Sequence, residues 1–147
     1  MSLIINFKKM SDDAKVPVYS TEHSAGFDFY SLENAKITKG SPKIIKTGIA
    51  VEIPVGYVLM LFSRSGHGFK NSIRLSNCVG IIDSDFRAEI LVRLTQDNDQ
   101  NSDEFNIQKG DRIAQGIILS FPKIKFTEVL SLSNTQRGEN GFGSTGR

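Results

Sequence analysis

Residues 53–62 read Ile-Pro-Val-Gly-Tyr-Val-Leu-Met-Leu-Phe, a turn followed by six apolar or aromatic residues. A run this short, bounded by turn formers, is typical of a strand and falls far below the ~20 residues of a membrane helix. The same pattern predicts further strands at 3–7, 27–30, 43–46, 48–53, 73–75, 89–94, 105–107, 111–120 and 124–130. Only 64–71 and 11–15 favour a helical turn. Many short strands predict an all-β sandwich or barrel.

The composition bounds the class of protein. The 147 residues carry 18 Lys+Arg and 16 Asp+Glu, with 39% hydrophobic residues and one cysteine. This length fits one domain that buries its own core without disulfides or a structural metal. A net charge of +2 does not predict a nucleic-acid or membrane surface, and the lone Cys78 fits a reducing compartment. The N-terminus shows no signal peptide. We therefore expect a cytoplasmic or otherwise intracellular protein without nucleic-acid or membrane partners.

One polar run, QDNDQNSD at 96–103, interrupts the strand pattern. An EF-hand loop would need a Gly at its sixth position and a Glu at its twelfth, and neither pattern is present. The run is therefore predicted to be a solvated hairpin tip rather than a metal loop.

Five segments depart from ordinary strand sequence: AGFDFYS (25–31), RSGHG (64–68), NCVGIIDSDFR (77–87), GDRIAQG (110–116) and RGENGFGSTGR (137–147). Arg64-Ser65-Gly66 offers a guanidinium, a hydroxyl and an unobstructed N–H, which suit phosphoryl oxygens. The glycine-rich tail offers N–H groups for an anion nest but lacks the lysine and the following helix of a P-loop. A carboxylate such as Asp83, if placed at the end of a strand, is able to hold and deprotonate a water. Together the segments indicate a phosphate-handling site.

Each segment also has an ordinary structural interpretation. Arg-Ser-Gly is usually a turn, and Asp83-Ser84-Asp85 is commonly turn chemistry. Gly-Asp-Arg at 110–112 fits a hairpin corner, and a glycine-rich end fits a disordered tail. Only the joint occurrence of the segments in this order favours the functional interpretation.

Taken in order, the five segments resemble the motifs of the homotrimeric dUTPase family, from Ala25 to Gly146. GIIDSDFR (80–87) and RGENGFGSTG (137–146) are the most specific. The resemblance implies a distorted jelly-roll, or β-clip, domain at 1–133 and a mobile tail at 134–147 that closes over the active site. It further implies a homotrimer with shared active sites and Mg²⁺-dependent hydrolysis of dUTP to dUMP and pyrophosphate. That reaction supplies dUMP for thymidylate synthesis and keeps uracil out of DNA.

The resemblance also implies a role for individual residues. Asp83 would activate the water that attacks the α-phosphorus and would contact the sugar 3′-hydroxyl, and Asp28 would meet Mg²⁺ only through its waters. The nucleoside would be bound by Asn77 and the 77–82 hairpin, including Gly80 and Ile82, and by Phe86. The phosphates would be held by Arg64, Ser65, Gly66, Gln115, Gly143, Ser144 and Thr145. Arg137 and Phe142 would lie over the nucleotide, with Phe142 stacked on uracil.

Two positions depart from the family pattern. Phe86 stands where the family usually has Tyr, against the deoxyribose. Its ring keeps the steric rejection of a 2′-hydroxyl but loses a phenol hydrogen bond worth about 1 kcal/mol. His67 and Gly68 occupy positions that often hold Leu and Ala, and we expect them to alter local packing rather than chemistry.

Three alternatives remain open from the sequence. A dCTP deaminase shares the fold and resembles the chain around Asp83, but it has a catalytic Glu where this chain has Arg93. A dUTPase-like trimer kept only for regulation is disfavoured by the complete motif set, which neither requires nor opposes an additional regulatory protein partner. An unrelated all-β domain is disfavoured by the order of the motifs.

Overall fold

The regular secondary structure of this protein's described residues is almost entirely β-strand. The structure is a computed structural model that describes residues 3–97 and 104–141. Within those residues the strands are β1 (Asn6–Lys9), β2 (Val18–Tyr19), β3 (Phe27–Tyr30), β4 (Ala35–Thr38), β5 (Lys43–Lys46), β6 (Ile49–Glu52), β7 (Tyr57–Phe62), β8 (Ile73–Leu75), β9 (Val79–Ile82), β10 (Leu91–Gln96), β11 (Glu104–Ile107) and β12 (Arg112–Ser120). One short helix, α1 (Ser65–Asn71), follows β7. The prediction of an all-β fold is confirmed.

The strands form four antiparallel sheets. The largest has the order β2-β3-β12-β7-β9, a second has the order β5-β10-β8, and β1-β6 and β11-β4 form two-stranded ladders. Side chains alternate between the faces, as in β10, where Val92 and Leu94 are buried while Leu91 and Arg93 are exposed. No helix in the described part of the chain is long and apolar enough to span a bilayer.

The sheets enclose one core of aliphatic side chains and Phe29. Ile37, Ile45 and Ile113 are among its fully buried members. The middle strand of the largest sheet, β12, requires Gly116, because a Cβ there would lie 2.6 Å from the Phe27 ring and 2.9 Å from the Phe29 ring. The core therefore fixes β12 against β3.

Most strand predictions agree with the structure. The bounds at 27–30, 43–46, 57–62 and 73–75 are as predicted, and five other strands are shifted by one to three residues. The short strands β2, β4 and β9 were not predicted. The helical turn predicted at 64–71 is α1, whereas 11–15 forms a turn rather than a helix.

The strand predicted at 124–130 is wrong for the single chain. Residues 121–141 contain no strand. Ile124, Phe126, Leu130 and Leu132 lie at every second position, in a series that Glu128 interrupts, and all four are exposed, Phe126 by 89%. A strand needs a hydrogen-bonding neighbour, and this segment has none among the described residues of its own chain.

The predicted hairpin at 96–103 is also wrong. Residues 98–103 lie outside the described residues, but their flanking strands are described and do not pair with each other. β10 pairs with β5 and β8, whereas β11 pairs with β4. Gln96, expected to be solvated, ends β10 with only 3% exposure.

Candidate active site

The largest sheet brings three of the five segments together at one end. In its register, Gln115 of β12 lies opposite Asp28 of β3 on one side and opposite Phe62 of β7 on the other. Arg64 follows two residues after Phe62, as the N-cap of α1. Segments far apart in sequence therefore converge here, as expected if they form one site.

Asp28 is a buried carboxylate held between two guanidinium groups. It is 2% exposed. Its Oδ2 accepts hydrogen bonds from Ser20 Oγ at 2.8 Å and Arg112 Nη1 at 3.3 Å. Its Oδ1 lies 3.6 Å from Arg64 Nε and has no hydrogen-bond donor among the described residues. Two cations around one anion leave an excess positive charge, which attracts a phosphorylated ligand.

Arg64 is oriented by contacts on several sides. Its Nη1 donates to the carbonyl oxygen of Arg112 at 3.1 Å and lies 3.2 Å from His67 Nε2. Burial, followed by the charge of Arg112, lowers the pKa of Arg64, and Asp28 opposes that shift. An arginine remains protonated at neutral pH despite such a shift. It therefore presents a fixed positive charge.

Ser65 and Gly66 lie beside this cluster, at the start of α1. Both are exposed, and the first N–H groups of a helix have no acceptor within the helix. A Cβ at Gly66 would have nothing within 4 Å. The backbone is therefore open to approach, as the sequence predicted.

The turn between β8 and β9 borders a cavity of about 270 Å³, lined by Leu61, Leu75, Ser76, Asn77, Gly80, Leu91 and Arg93. This volume lies at the lower end of ligand pockets, roughly 300–1,000 Å³, and suits a single base better than a whole nucleotide. Gly80 packs closely on β7, because a Cβ there would lie 3.1 Å from Leu61 Cβ and would crowd that side chain. Asn77 and Gly80 thus line one cavity, and Ile82 lies at the end of β9, the strand that contains Gly80.

The segment 77–82 is not a hairpin, which corrects the prediction. β8 pairs with β10, whereas β9 pairs with β7, so the turn joins strands of different sheets. Cys78 in this turn has φ 62°. The turn therefore connects two layers of the fold and forms one wall of the cavity between them.

Asp83 lies far from the cluster of Asp28, Arg64 and Arg112 in its own chain. Val79 pairs with Phe62 and Ile82 pairs with Leu59, so Asp83 follows β9 at the opposite end of β7 from Arg64. At about 3.3 Å per residue, six residues separate the two positions by roughly 20 Å along the strand. Phe86 is on the same side as Asp83, 39% exposed, and its N–H donates to the Asp83 carbonyl oxygen at 3.2 Å. A single chain does not bring Asp83 and Arg64 together.

The described part of the tail makes local hydrogen bonds. Arg137 Nε donates to the Asn140 carbonyl oxygen at 2.9 Å, and the Gly138 N–H donates to Thr135 Oγ1 at 3.0 Å. Phe142, Gly143, Ser144 and Thr145 lie outside the described residues, and their roles stay predictions.

The described side chains do not form a direct binding site for a divalent cation. The described residues contain no cluster of three or more His, Cys, Asp or Glu side chains. Asp28 is already paired with two arginines, yet its Oδ1 lacks a hydrogen-bond donor. This fits a carboxylate that contacts a hydrated Mg²⁺ through water, with substrate phosphates as the direct ligands.

Several residues at the site were missed from the sequence. Ser20 and Arg112 complete the Asp28 cluster, and His67 contacts Arg64. Ser76 lines the base-sized cavity with a buried hydroxyl that has no partner among the described residues. Arg112 and His67 lie inside the segments 110–116 and 64–68, and Ser76 precedes the segment 77–87, which was the available signal, whereas nothing in the sequence marks Ser20.

The fold and the site define a β-rich protein whose clustered arginines suit a phosphorylated ligand. A model of the dUTPase family matches residues 12–146, and the chain belongs to that family.

Similar proteins agree with this assignment. The deoxyuridine 5′-triphosphate nucleotidohydrolase of Nautilia profundicola is 43% identical, over 97% of this chain and 99% of that protein. The enzyme of the same name from Helicobacter pylori strain P12 is 39% identical, over 97% and 96%. Among solved structures, the Staphylococcus bacteriophage 80alpha dUTPase with dUPNHPP is 27% identical, with a TM-score of 0.91 over 99% and 100% of the two chains.

Proposed function

We propose that this chain is a dUTP diphosphatase, which hydrolyses dUTP to dUMP and pyrophosphate. The main support is the match to the dUTPase family over residues 12–146. Deoxyuridine 5′-triphosphate nucleotidohydrolases are also similar to this chain over nearly their full length. The reaction removes dUTP, so uracil stays out of DNA, and it supplies dUMP for thymidylate synthesis. The enzyme acts inside the cell, where deoxynucleotides are made.

The cavity beside β9 binds uracil. Asn77 and the backbone from residue 77 to Ile82 read the polar edge of the base, and Ser76 Oγ offers a further unpaired group. A pocket built to pair with uracil leaves its polar groups unpaired by cytosine, which rejects that base strongly. The pocket is too narrow for the 5-methyl group of thymine. Phe86 packs on the deoxyribose.

The arginine cluster binds the triphosphate. Phosphoryl transfer depends mainly on positioning and on neutralising charge. Arg64 supplies a fixed cation, and Ser65, Gly66 and Gln115 supply polar contacts beside it. The tail adds Arg137 and Phe142 over the nucleotide and Gly143, Ser144 and Thr145 on the outer phosphates.

Asp83 orients a water and accepts its proton as the water attacks the α-phosphorus. It also contacts the 3′-hydroxyl of the sugar. Bound Mg²⁺ neutralises phosphate charge, and Asp28 would hold it through its waters.

Two observations support a homotrimer with shared sites. The roughly 20 Å between Asp83 and Arg64 along β7 is too long for one nucleotide-binding site, so Asp83 acts with the cluster of another subunit. The exposed alternating segment around Phe126 and Leu130 has the pattern of a strand without a partner. Another copy of the chain supplies that partner, and the tail from residue 134 extends to a neighbouring site.

Pyrophosphate release from dUTP, dCTP, dTTP and UTP, with and without Mg²⁺, tests the function. We expect rapid Mg²⁺-dependent release from dUTP and little from the others. Ammonia release from dCTP would instead support the deaminase, although Arg93, at the cavity rim, cannot replace its catalytic Glu.

A further inference from the structure

His67 contacts the arginine that the proposed function places on phosphate. Its Nε2 lies 3.2 Å from Arg64 Nη1, within hydrogen-bond distance. The imidazole is half-buried and packs edge-on against Phe105 of β11, with ring centroids 5.3 Å apart. The His67 ring therefore lies between Arg64 and Phe105 and is not a freely moving surface side chain.

The chemistry of the pair fixes the protonation state of His67. A guanidinium has only donors, so Nε2 must accept the hydrogen bond. The imidazole is then neutral and carries its proton on Nδ1, which is buried and has no partner among the described residues. Protonation would place two donors face to face and add a positive charge beside Arg64.

The surroundings of the ring favour the neutral form. Burial lowers the pKa of His67 most, followed by the charge of Arg64, and Arg112 adds to that effect. Asp111, in the turn before β12, opposes it. From β11 the ring meets the uncharged side chain of Phe105.

We propose that neutral His67 is a positioning residue, which holds the Arg64 guanidinium in the orientation that binds substrate phosphate. This inference rests on the proposed function and deepens it. His67 Nε2 and the Arg112 carbonyl oxygen both accept hydrogen bonds from Arg64 Nη1, while Asp28 lies beside Arg64 Nε. Without His67, Arg64 keeps its charge but loses one of these restraints, so KM rises more than kcat falls.

The proposal has a definite pH dependence. The folded state keeps His67 neutral down to a pH below the ordinary histidine value of about 6.5. As the pH falls through the lowered pKa, protonation releases Arg64 and the affinity for triphosphate drops. The loss grows toward acid and is absent at neutral pH.

The test compares His67→Gln, His67→Leu and the matched control His23→Gln between pH 5 and 8. Gln keeps an acceptor but does not titrate, whereas Leu removes the acceptor. Readouts are kcat and KM for dUTP, the affinity for a non-hydrolysable dUTP analogue, and an NMR titration of the two imidazoles, assigned by the Gln variants. We expect His67→Leu to weaken binding about tenfold at pH 7.5, the usual scale for a hydrogen bond to a charged group. His67→Gln should bind more tightly than His67→Leu and lack the acid loss of binding that wild type and His23→Gln share.

The possible results distinguish a failure of the His67 proposal from a failure of the proposed enzymatic function. If wild type hydrolyses dUTP but His67→Gln shows the same acid loss of analogue binding, the inference is wrong. It is also wrong if His67→Leu lowers only the melting temperature and leaves KM unchanged, because His67 would then be purely structural. If wild type does not hydrolyse dUTP, the proposed function fails, while the titration of His67 still tests its contact with Arg64.

Discussion

Two aspartates of the site have opposite surroundings, and these suit opposite roles. Asp28 is buried and bonded to Ser20 and Arg112, with Arg64 close by. Removing one member of a buried ion pair leaves its partner uncompensated, so Asp28 and the two arginines hold one another in place. Asp83 is exposed at the end of β9. It is therefore free to meet water and substrate.

Asp83→Asn should lower kcat by about 10²–10⁴-fold while binding of a non-hydrolysable dUTP analogue is largely retained. The amide is nearly isosteric but cannot accept the proton of the attacking water. Asp85→Asn, an exposed aspartate two residues away, is the matched control and should change kcat little. Near-normal turnover in Asp83→Asn would remove Asp83 from the mechanism.

The sequence was sufficient for residues that carry a local motif. Asp28, Arg64 and Gln115 were assigned to one site and converge in the structure. The hydrogen bond between Ser20 and Asp28 and that between Arg64 and the Arg112 carbonyl oxygen were not predicted. Such contacts depend on strand register and on turn geometry, which a motif does not encode.

At the scale of elements, β12 positions the site. It lies between β3 and β7, so its register sets how Asp28, Gln115 and Arg64 are spaced. Gly116, next to Gln115, allows the aromatic rings of β3 to pack on it. The stability of the core and the geometry of the site therefore depend on the same strand.

Gly116→Ala should lower the free energy of unfolding by about 1–3 kcal/mol, because the new Cβ forces the Phe27 and Phe29 rings to move. Urea unfolding at a fixed protein concentration measures the change. Gly26→Ala, at the residue just before β3, is the matched control, since its Cβ would make only ordinary contacts from 3.5 Å outward. Equal stability of the two variants would contradict this account of β12.

The segment that follows β12 shows where prediction from one chain stops. The apolar residues at 124–130 led to the prediction of a strand, yet no strand forms there. The hydrophobic pattern shows which side chains a segment is able to bury, but a strand also requires the edge of a neighbouring strand for hydrogen bonding. When that edge belongs to another copy, the sequence shows the pattern and the single chain does not.

Deleting residues 136–147 should nearly abolish hydrolysis and leave thermal stability almost unchanged. The described part of this tail is mostly exposed and bonds only to itself, so its loss removes little buried apolar area. Activity should fail because the tail covers the nucleotide and excludes water. Pyrophosphate release and a melting curve measure both effects. A dispensable tail would give unchanged turnover, and the dUTP analogue with Mg²⁺ would not protect it from protease in the intact chain.

At the scale of the whole molecule, the decisive feature is the register between β7 and β9. It places Asp83 and Arg64 at opposite ends of β7. Neither the motifs nor their order along the chain reveal that separation, because β9 was not predicted as a strand. The fold class followed from the sequence, whereas the proposed division of the site between subunits is based on the observed register together with the resemblance to trimeric dUTPases.

Mixed assemblies of two inactive variants test this division most directly. Asp83→Asn and Arg64→Gln, carrying different affinity tags, are co-expressed, and assemblies holding both tags are purified. In a closed threefold ring, either mixed composition places an intact Asp83 beside an intact Arg64 at one of the three interfaces. We predict that each variant alone is nearly inactive and that the mixed assemblies recover about one third of wild-type turnover. Mixed assemblies as inactive as their parents would contradict the shared site.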